Sequence, residues 1–544
     1  MTESVLLLLI ATGLLTYVVT FPLRNTLVRL GFIDRPDERR KLHSRVMPVG
    51  GGVAVFLGLT VGLLWLRFGL QDSILQAVDK GRIPWPGSNL SWIGGFLAAA
   101  ALLVGFGLLD DRFGLRGRQK LCSQFAVSIL AVWLCGLTVA KAEFFGIVLD
   151  FGWFGAAIAV LWLVGSINAV NLLDGADGMA SVVGIAIGLG LAGLAVAAGR
   201  PLDAILPAIL VAALVGFLPH NFPPAKIFLG DTGSQLIGLT LGFAAIRASL
   251  KSSTAIAMTA VIAIWFVPLL DVGVAILRRK LAGRSIYVTD RGHLHHRLVA
   301  KGYGGGKLLA VVGLICGVTA IGGVISVWFQ FELLALGAVG SVLSTLVLKR
   351  IFGHSEAKLL AENSTSFARS MFSRRTETPA AKQVLNRIQG SRDWELLWDR
   401  LIAYAGHFDL VGLRLEVHLP SIEEDFVAKW SRDTVREPER IWRTSLPLAT
   451  DRGVAGRLEV RGLIYEGNAS TRIARQIENL KLFEFVAMSL IAEELGWELP
   501  VRPKLDPEWI DQVLLDEFLH PEGKSRESFS PKMRIAKSPK NERV

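Results

Sequence analysis

The sequence predicts a polytopic α-helical membrane protein of about eleven transmembrane helices, N-terminus outside and C-terminus cytoplasmic, followed by a small cytoplasmic α+β domain. Three observations predict it. The 544 residues are 51% hydrophobic, with a mean hydropathy of +0.46. Apolar runs of roughly 18 to 22 residues, the length that crosses hydrocarbon as helix, recur over the first two thirds of the chain. Lysine and arginine collect in alternate loops between those runs.

The runs lie near residues 4–23, 49–67, 92–109, 121–139, 153–170, 179–198, 202–219, 234–248, 254–277, 308–328 and 331–348. The first, VLLLLIATGLLTYVVTFPL, has no basic residue before it and no small-residue cleavage site after it, so it is expected to remain as a span. Orientation follows from the loops. Arg24, Arg29, Arg35, Arg39, Arg40, Lys41 and Arg45 follow the first run, and Arg278, Arg279, Lys280, Arg284, Arg291, Arg297, Lys301 and Lys307 follow the ninth. QFELL has no cation, and GRPLD and LKSST have one or two nearby, which places these loops outside. The net charge of +11 is largely this inside bias, so no nucleic-acid partner is expected. Cys122, Cys135 and Cys316 fall in or beside apolar runs without metal-ligand spacing and read as small core hydrophobes.

Four polar clusters then open onto the cytoplasm: LLDDRFGLRGRQKL with Asp110, Asp111 and Lys120; NAVNLLDGADG with Asn168, Asn171, Asp174 and Asp177; KIFLGDTGS with Lys226, Phe228, Asp231 and Ser234; and DRGHLHHRL with Asp290, His293, His295 and His296. Any one cluster could be a snorkelling anchor. Four on one rim, with none comparable opposite, point to a site. Carboxylates with amide oxygens suit a hard cation such as Mg2+, which keeps water and bridges substrate phosphates. DGADG and LGDTGS are tight turns where helices start or stop, a setting in which backbone N–H groups can face phosphate. The expected ligand is a phosphorylated small molecule.

These stretches, GLLDDRFGLRGRQKL, NAVNLLDGADGMA, FLGDTGSQLIG and DRGHLHHRL, resemble in order and spacing the motifs of the polyprenyl-phosphate N-acetylhexosamine-1-phosphate transferases. DRPDERRKLHSRVMPVGGG resembles the first cytoplasmic loop of that family, and the resemblance spans about residues 1–350. It implies a bacterial inner-membrane enzyme, facing the cytoplasm, that moves a sugar 1-phosphate from a UDP-sugar to undecaprenyl phosphate in the lipid bilayer, with Mg2+ or Mn2+ and release of UMP. UDP-N-acetylglucosamine is the default donor, and the product begins a cell-envelope glycan. Carried over by position, Asn171 and Asp231 match metal-holding residues, while Asp177 and Phe228 match positions that bond and stack on uracil. Asn168 and Asp174 fall with the substrate-binding residues, Asp174 as a polar support or contact. Asp110 and Asp111 match the acidic pair near the reacting phosphates, Lys120 a phosphate-neutralising cation, and His293, His295 and His296 the loop that contacts the UDP-sugar.

Exchanging one phosphoanhydride for another is nearly balanced, so the protein must mainly align two phosphates and screen their repulsion. Direct attack by the prenyl phosphate on the β-phosphorus is expected. The alternative is a covalent aspartyl phosphate at Asp110 or Asp111. A phosphate is already ionised near neutral pH, so Asp111 as base is the weaker assignment. Lys41 and His43 are equally explained by topology and anionic lipid. Trp162 and Trp265 read as lipid or core aromatics, and Asp271 could be structural.

Beyond residue 350 the resemblance ends: 351–380 reads as a linker, 381–500 as a cytoplasmic α+β domain loosely similar to GAF domains, and 501–544 as a basic, largely disordered tail. LVGLRLEVHL alternates Val411, Leu413, Leu415, Val417 and Leu419 against polar partners, and GRLEVRGLI alternates likewise at Leu458, Val460 and Gly462, as half-buried strands do. TRIARQIENLKLFEFVAMSLIAEEL reads as a long amphipathic helix. No catalytic constellation stands out there, so ligand sensing and a docking or homodimer surface are both open. Three other functions compete. A transporter would put polar groups near the midplane of paired halves, an inactive scaffold would be expected to have lost Asp231 or the acidic pair, and the muramoyl-pentapeptide transferases of peptidoglycan synthesis are the nearest rival enzymes. The HLHH loop favours the N-acetylhexosamine branch.

Overall fold

In lipid no water is available to the backbone, so an apolar run can satisfy its N–H and C=O groups only within itself, as helix. The computed structural model describes residues 2–34, 47–71, 90–249, 258–281, 293–349, 351, 398, 401–402, 405, 410–419, 424–431, 441–450, 453–463 and 488. Residues 35–46 with Lys41 and His43, Asp290, nearly all of the linker, the 471–495 helix apart from Met488, and the tail lie outside the described residues. The chain divides into two compact units, Met1–Asn363 and Ser364–Val544.

In the first unit the helices are α1 Thr2–Arg29, α2 Gly52–Leu64, α3 Trp92–Phe113, α4 Gly117–Cys135, α5 Gly155–Leu173, α6 Met179–Ala197, α7 Ile205–Asn221 and α8 Gly230–Ser249. They continue as α9 Met258–Ile264, α10 Phe266–Leu281, α11 Leu294–Ala300, α12 Gly306–Trp328 and α13 Leu333–Leu348. Among the described residues six helices are long and apolar enough to cross a membrane, or seven if α9 and α10, bent by 77°, form one broken span. The unit is thus a polytopic helical membrane protein. The expected count of about eleven is finer than this. Four of the eleven apolar runs lie in helices that do not meet the same standard: α7 and α13 have 17 and 16 residues, while α4 and α8 open on polar turns, Gly-Arg-Gln-Lys and Gly-Asp-Thr-Gly.

Helix α8 is the axis of the unit. It packs against α2, α3, α5, α6 and α7, and its Leu236, Ile237, Leu239, Leu241 and Phe243 are fully buried. Three buried threonines of the bundle find their partners within their own helix. Thr12, Thr16 and Thr20, buried on α1 where it meets α7, each donate to the carbonyl one turn back at 2.8, 2.9 and 2.6 Å. Two short antiparallel pairings complete the unit: β1 Ile33–Asp34 with β2 Met47–Pro48, and β3 Lys141–Phe144 with β4 Ile147–Asp150.

The second unit contains a four-stranded antiparallel sheet of β5 Leu410–Leu419, β6 Glu424–Ser431, β7 Ile441–Thr450 and β8 Gly453–Leu463, in the order β6-β5-β8-β7. The two alternating stretches read from the sequence are β5 and β8, paired through Leu413↔Val460 and Leu415↔Leu458. Leu413, Leu415, Val417, Ala428, Trp430, Leu458 and Val460 bury one face. The opposite face carries Arg414, Glu416, Arg457 and Glu459, where ion pairs from Arg457 and Arg414 hold the Glu416 carboxyl below the usual range.

Candidate active site

The loop ends of α3, α4, α5 and α8 bring four of the predicted residues into direct contact. Lys120, near the start of α4, sets its ammonium 2.6 Å from Asp231 Oδ2 and 3.1 Å from Asp110 Oδ2. Asn171, in the last turn of α5, donates from Nδ2 to Asp231 Oδ1 and, at 2.8 Å, to Ser234 Oγ. Asp110 also accepts the Leu115 N–H at 2.7 Å, which fixes the turn from α3 into α4. One ammonium is therefore shared by two carboxylates that are 9% (Asp110, as a residue) and 31% (Asp231, as a side chain) exposed. Such a partly dry, closely spaced arrangement carries far more electrostatic weight than a surface pair.

Asp111 takes a different part. Its two oxygens accept the N–H of Asp231 at 2.8 Å, the N–H of Thr232 at 3.2 Å and the Thr232 hydroxyl at 2.5 Å, so it caps the first turn of α8 from another helix. Gly230 makes this possible. Its φ of +74° is a left-handed conformation, and a Cβ there would stand 2.5 Å from Asp111 Oδ2. Both oxygens of Asp111 are thus spent on aiming the helix that carries Asp231, which leaves little for the work of a base or nucleophile.

The DGADG turn lies beside this cluster. Burial, and then the neighbouring Asp231 and Asp111 carboxylates, push the Asp174 carboxyl up to about 8. Asp177 accepts the Ala225 N–H at 2.9 Å, three residues before Phe228, whose own N–H donates to Pro48 at 2.9 Å and whose carbonyl accepts from Gly51 at 2.9 Å. Asp177 and Phe228 thus belong to one braced loop. Asn168 is turned instead into the bundle: its amide donates to Gln124 Oε1 at 2.7 Å and to the Val164 carbonyl at 2.8 Å, beneath the cluster rather than in it.

The three histidines cluster with one another. The His293 and His295 rings lie parallel within 5° at 6.0 Å, and His295 and His296 are 4.1 Å apart. His295 is pressed against the DGADG turn, where a Cβ on Gly175 would meet its Nε2 at 2.1 Å. Only glycine fits. Burial, with the neighbouring histidines, holds His295 down to about 3, so it is neutral at physiological pH.

Several partners have no counterpart in the sequence reading. Gln124 and Gln235, both essentially fully buried, form an amide ladder with Asn168, linked at 3.4 Å. Asn221 accepts the Gly178 N–H at 3.1 Å and donates to Ile227 at 3.0 Å, joining the two loops. A polar side chain inside a membrane helix is a signal in itself, but nothing in the sequence says which other helix it meets.

Among the described residues no group of three histidines, cysteines or carboxylates forms a ready cage for a metal. The donor set nevertheless suits a hard cation. Asp231, Asp110 and the amide of Asn171 offer oxygen alone, with several carboxylates to one ammonium, and Mg2+ characteristically completes such a site with water and substrate phosphate.

Residues 93–249 match the model of Glycosyl transferase family 4. A protein of Bacillus subtilis (strain 168) named as a probable undecaprenyl-phosphate N-acetylglucosaminyl 1-phosphate transferase is 33% identical over 312 residues, which is 56% of this chain and 80% of that protein. A decaprenyl-phosphate N-acetylglucosaminephosphotransferase of Mycobacterium tuberculosis is 34% identical over 59% of this chain and 82% of its own length. An undecaprenyl-phosphate alpha-N-acetylglucosaminyl 1-phosphate transferase of Salmonella typhi is 28% identical, over 59% and 84%.

Proposed function

The chain belongs to the family of polyprenyl-phosphate N-acetylglucosaminyl 1-phosphate transferases, and from that premise we propose that it transfers N-acetylglucosamine 1-phosphate from UDP-N-acetylglucosamine to undecaprenyl phosphate at the cytoplasmic face of the bacterial inner membrane. UMP leaves, and the lipid-linked product starts a cell-envelope polysaccharide. The observation that carries the proposal is Asp231, at the head of the central helix, sharing its carboxylate between Lys120 and Asn171.

An oxygen of the prenyl phosphate attacks the β-phosphorus of the UDP-sugar. The new phosphorus–oxygen bond forms as the bond to the bridging oxygen breaks, and that oxygen carries the electron pair away on UMP. Lys120 screens the charge of the two phosphates, and Asp110 holds Lys120 in place. Asp231 and Asn171 would hold Mg2+ or Mn2+, which supplies further positive charge to the diphosphate. Asp177 and Phe228 take the uracil and the histidine loop the sugar diphosphate. The engagement of both Asp111 oxygens by α8 favours direct attack over an aspartyl phosphate.

The muramoyl-pentapeptide transferase alternative is disfavoured by the names of the relatives. The test is UMP release by detergent-purified protein given undecaprenyl phosphate, UDP-N-acetylglucosamine and Mg2+. Release should require lipid and metal, cease in EDTA, and fall at least about 100-fold in Asp231→Asn. Turnover restricted to another nucleotide sugar would displace the donor, and silence across a panel of UDP-sugars would displace the function.

A further inference from the structure

One buried acidic side chain has no part in the transfer chemistry above. Asp271, on α10, is 1% exposed, and it gives both carboxylate oxygens to the histidine loop. Oδ1 accepts the Leu294 N–H at 2.7 Å, and Oδ2 lies 2.8 Å from His293 Nδ1. A buried carboxylate in an apolar helix is costly. Holding one backbone N–H would need only a neutral amide. The second oxygen therefore answers a need of His293: an acceptor at Nδ1 fixes the proton there and leaves Nε2 as the one ring nitrogen that can meet a ligand.

The ring is also held in direction. Parallel stacking relates His293 to His295, and His295 is wedged against Gly175 in the Asp174–Asp177 turn. Asp271, the residue of α10 that among the described residues reaches this loop, thus ties the histidine loop to the turn beside Asp231.

Taking the proposed transfer reaction as given, we propose that Asp271 is a positioning residue that sets the tautomer and direction of His293, so that Nε2 meets the diphosphate of the UDP-sugar. Asp271→Asn tests it. The asparagine keeps the shape and can still accept from Leu294, but its amide N–H faces Nδ1 and drives the ring proton to Nε2.

Two readouts on the full chain in detergent decide the matter. Heteronuclear NMR of histidine-labelled protein, with the His293 signal assigned by its loss in His293→Ala, should place the proton on Nδ1 in the native protein and on Nε2 in Asp271→Asn. In UMP-release kinetics Asp271→Asn should lower kcat/KM for the UDP-sugar by about tenfold or more, the worth of one hydrogen bond to a charged group. KM for undecaprenyl phosphate should hold within about twofold, since a residue positioning only the nucleotide-sugar side leaves lipid binding untouched. In a His293→Ala background Asp271→Asn should add nothing. A native His293 without a proton on Nδ1 would overturn the proposal, as would equal losses toward both substrates or additive losses in the double variant. If Asp271→Asn does not fold, the native spectrum and His293→Ala still decide it. Silence of the native enzyme with every UDP-sugar would instead count against the proposed function, while the tautomer measurement would still judge the link between Asp271 and His293.

Discussion

At the scale of single residues, neighbouring carboxylates have been put to different uses. Asp110 holds the ammonium of Lys120, whereas Asp111 caps the helix that carries Asp231. Asp111→Ala should therefore cost about 1–2 kcal/mol of stability, the worth of a good cap, and Asp111→Asn less, as read by denaturant unfolding in detergent. A pure catalytic base would lose activity in both variants with stability unchanged. Lys120→Met should lower kcat by about 10²- to 10³-fold, the usual effect of removing one preorganised electrostatic group, measured as UMP release at saturating substrates. Asp174 makes a prediction about pH. Its folded value of about 8 lies above its ordinary 3.8, so between those values the folded state binds more protons than the unfolded one, and stability falls as pH rises. In EDTA the native midpoint should decline from pH 5 to 8 by an amount that Asp174→Asn reduces; an unchanged slope would remove Asp174 from the account.

At the scale of elements, the site is a set of helix ends braced against α8. Gly175→Ala should force His295 out of its seat on the DGADG turn and raise KM for the UDP-sugar with little change for the lipid, as steady-state kinetics can read. The motif residues were legible because charged and amide side chains stand out in apolar sequence. That logic located Asp110, Lys120, Asn171 and Asp231, which the fold joins by direct contacts. It had no means of pairing Gln124 with Gln235, Asn221 with Gly178 or Asp271 with His293, since each partnership is between elements distant in sequence. Asn168 shows the converse: a polar residue one turn from Asn171 that faces the bundle. In the second unit, alternation marked β5 and β8. Strand β7 escaped notice because Pro447 interrupts it, and the sheet order explains why proline is tolerated there: β7 lies at an edge.

At the scale of the whole molecule, the family model matches residues 93–249, inside the first unit, and the relatives span 56% to 59% of the chain. A chain ended at residue 363, the boundary of the first unit, should therefore keep lipid-dependent UMP release in membranes. Loss of activity in a well-folded truncation would show that the sheet-containing unit takes part in transfer. Hydropathy made the polytopic class legible, whereas α4, α7, α8 and α13 are too short or too polar to be counted by composition alone. The central claim, transfer of a sugar 1-phosphate by direct attack, is tested most directly with UDP-N-acetylglucosamine radiolabelled at its β-phosphate and followed through one turnover. The label should pass entirely into the undecaprenyl-linked product, with none on UMP and none trapped on the protein; label on an aspartate, or released as free phosphate, would contradict it.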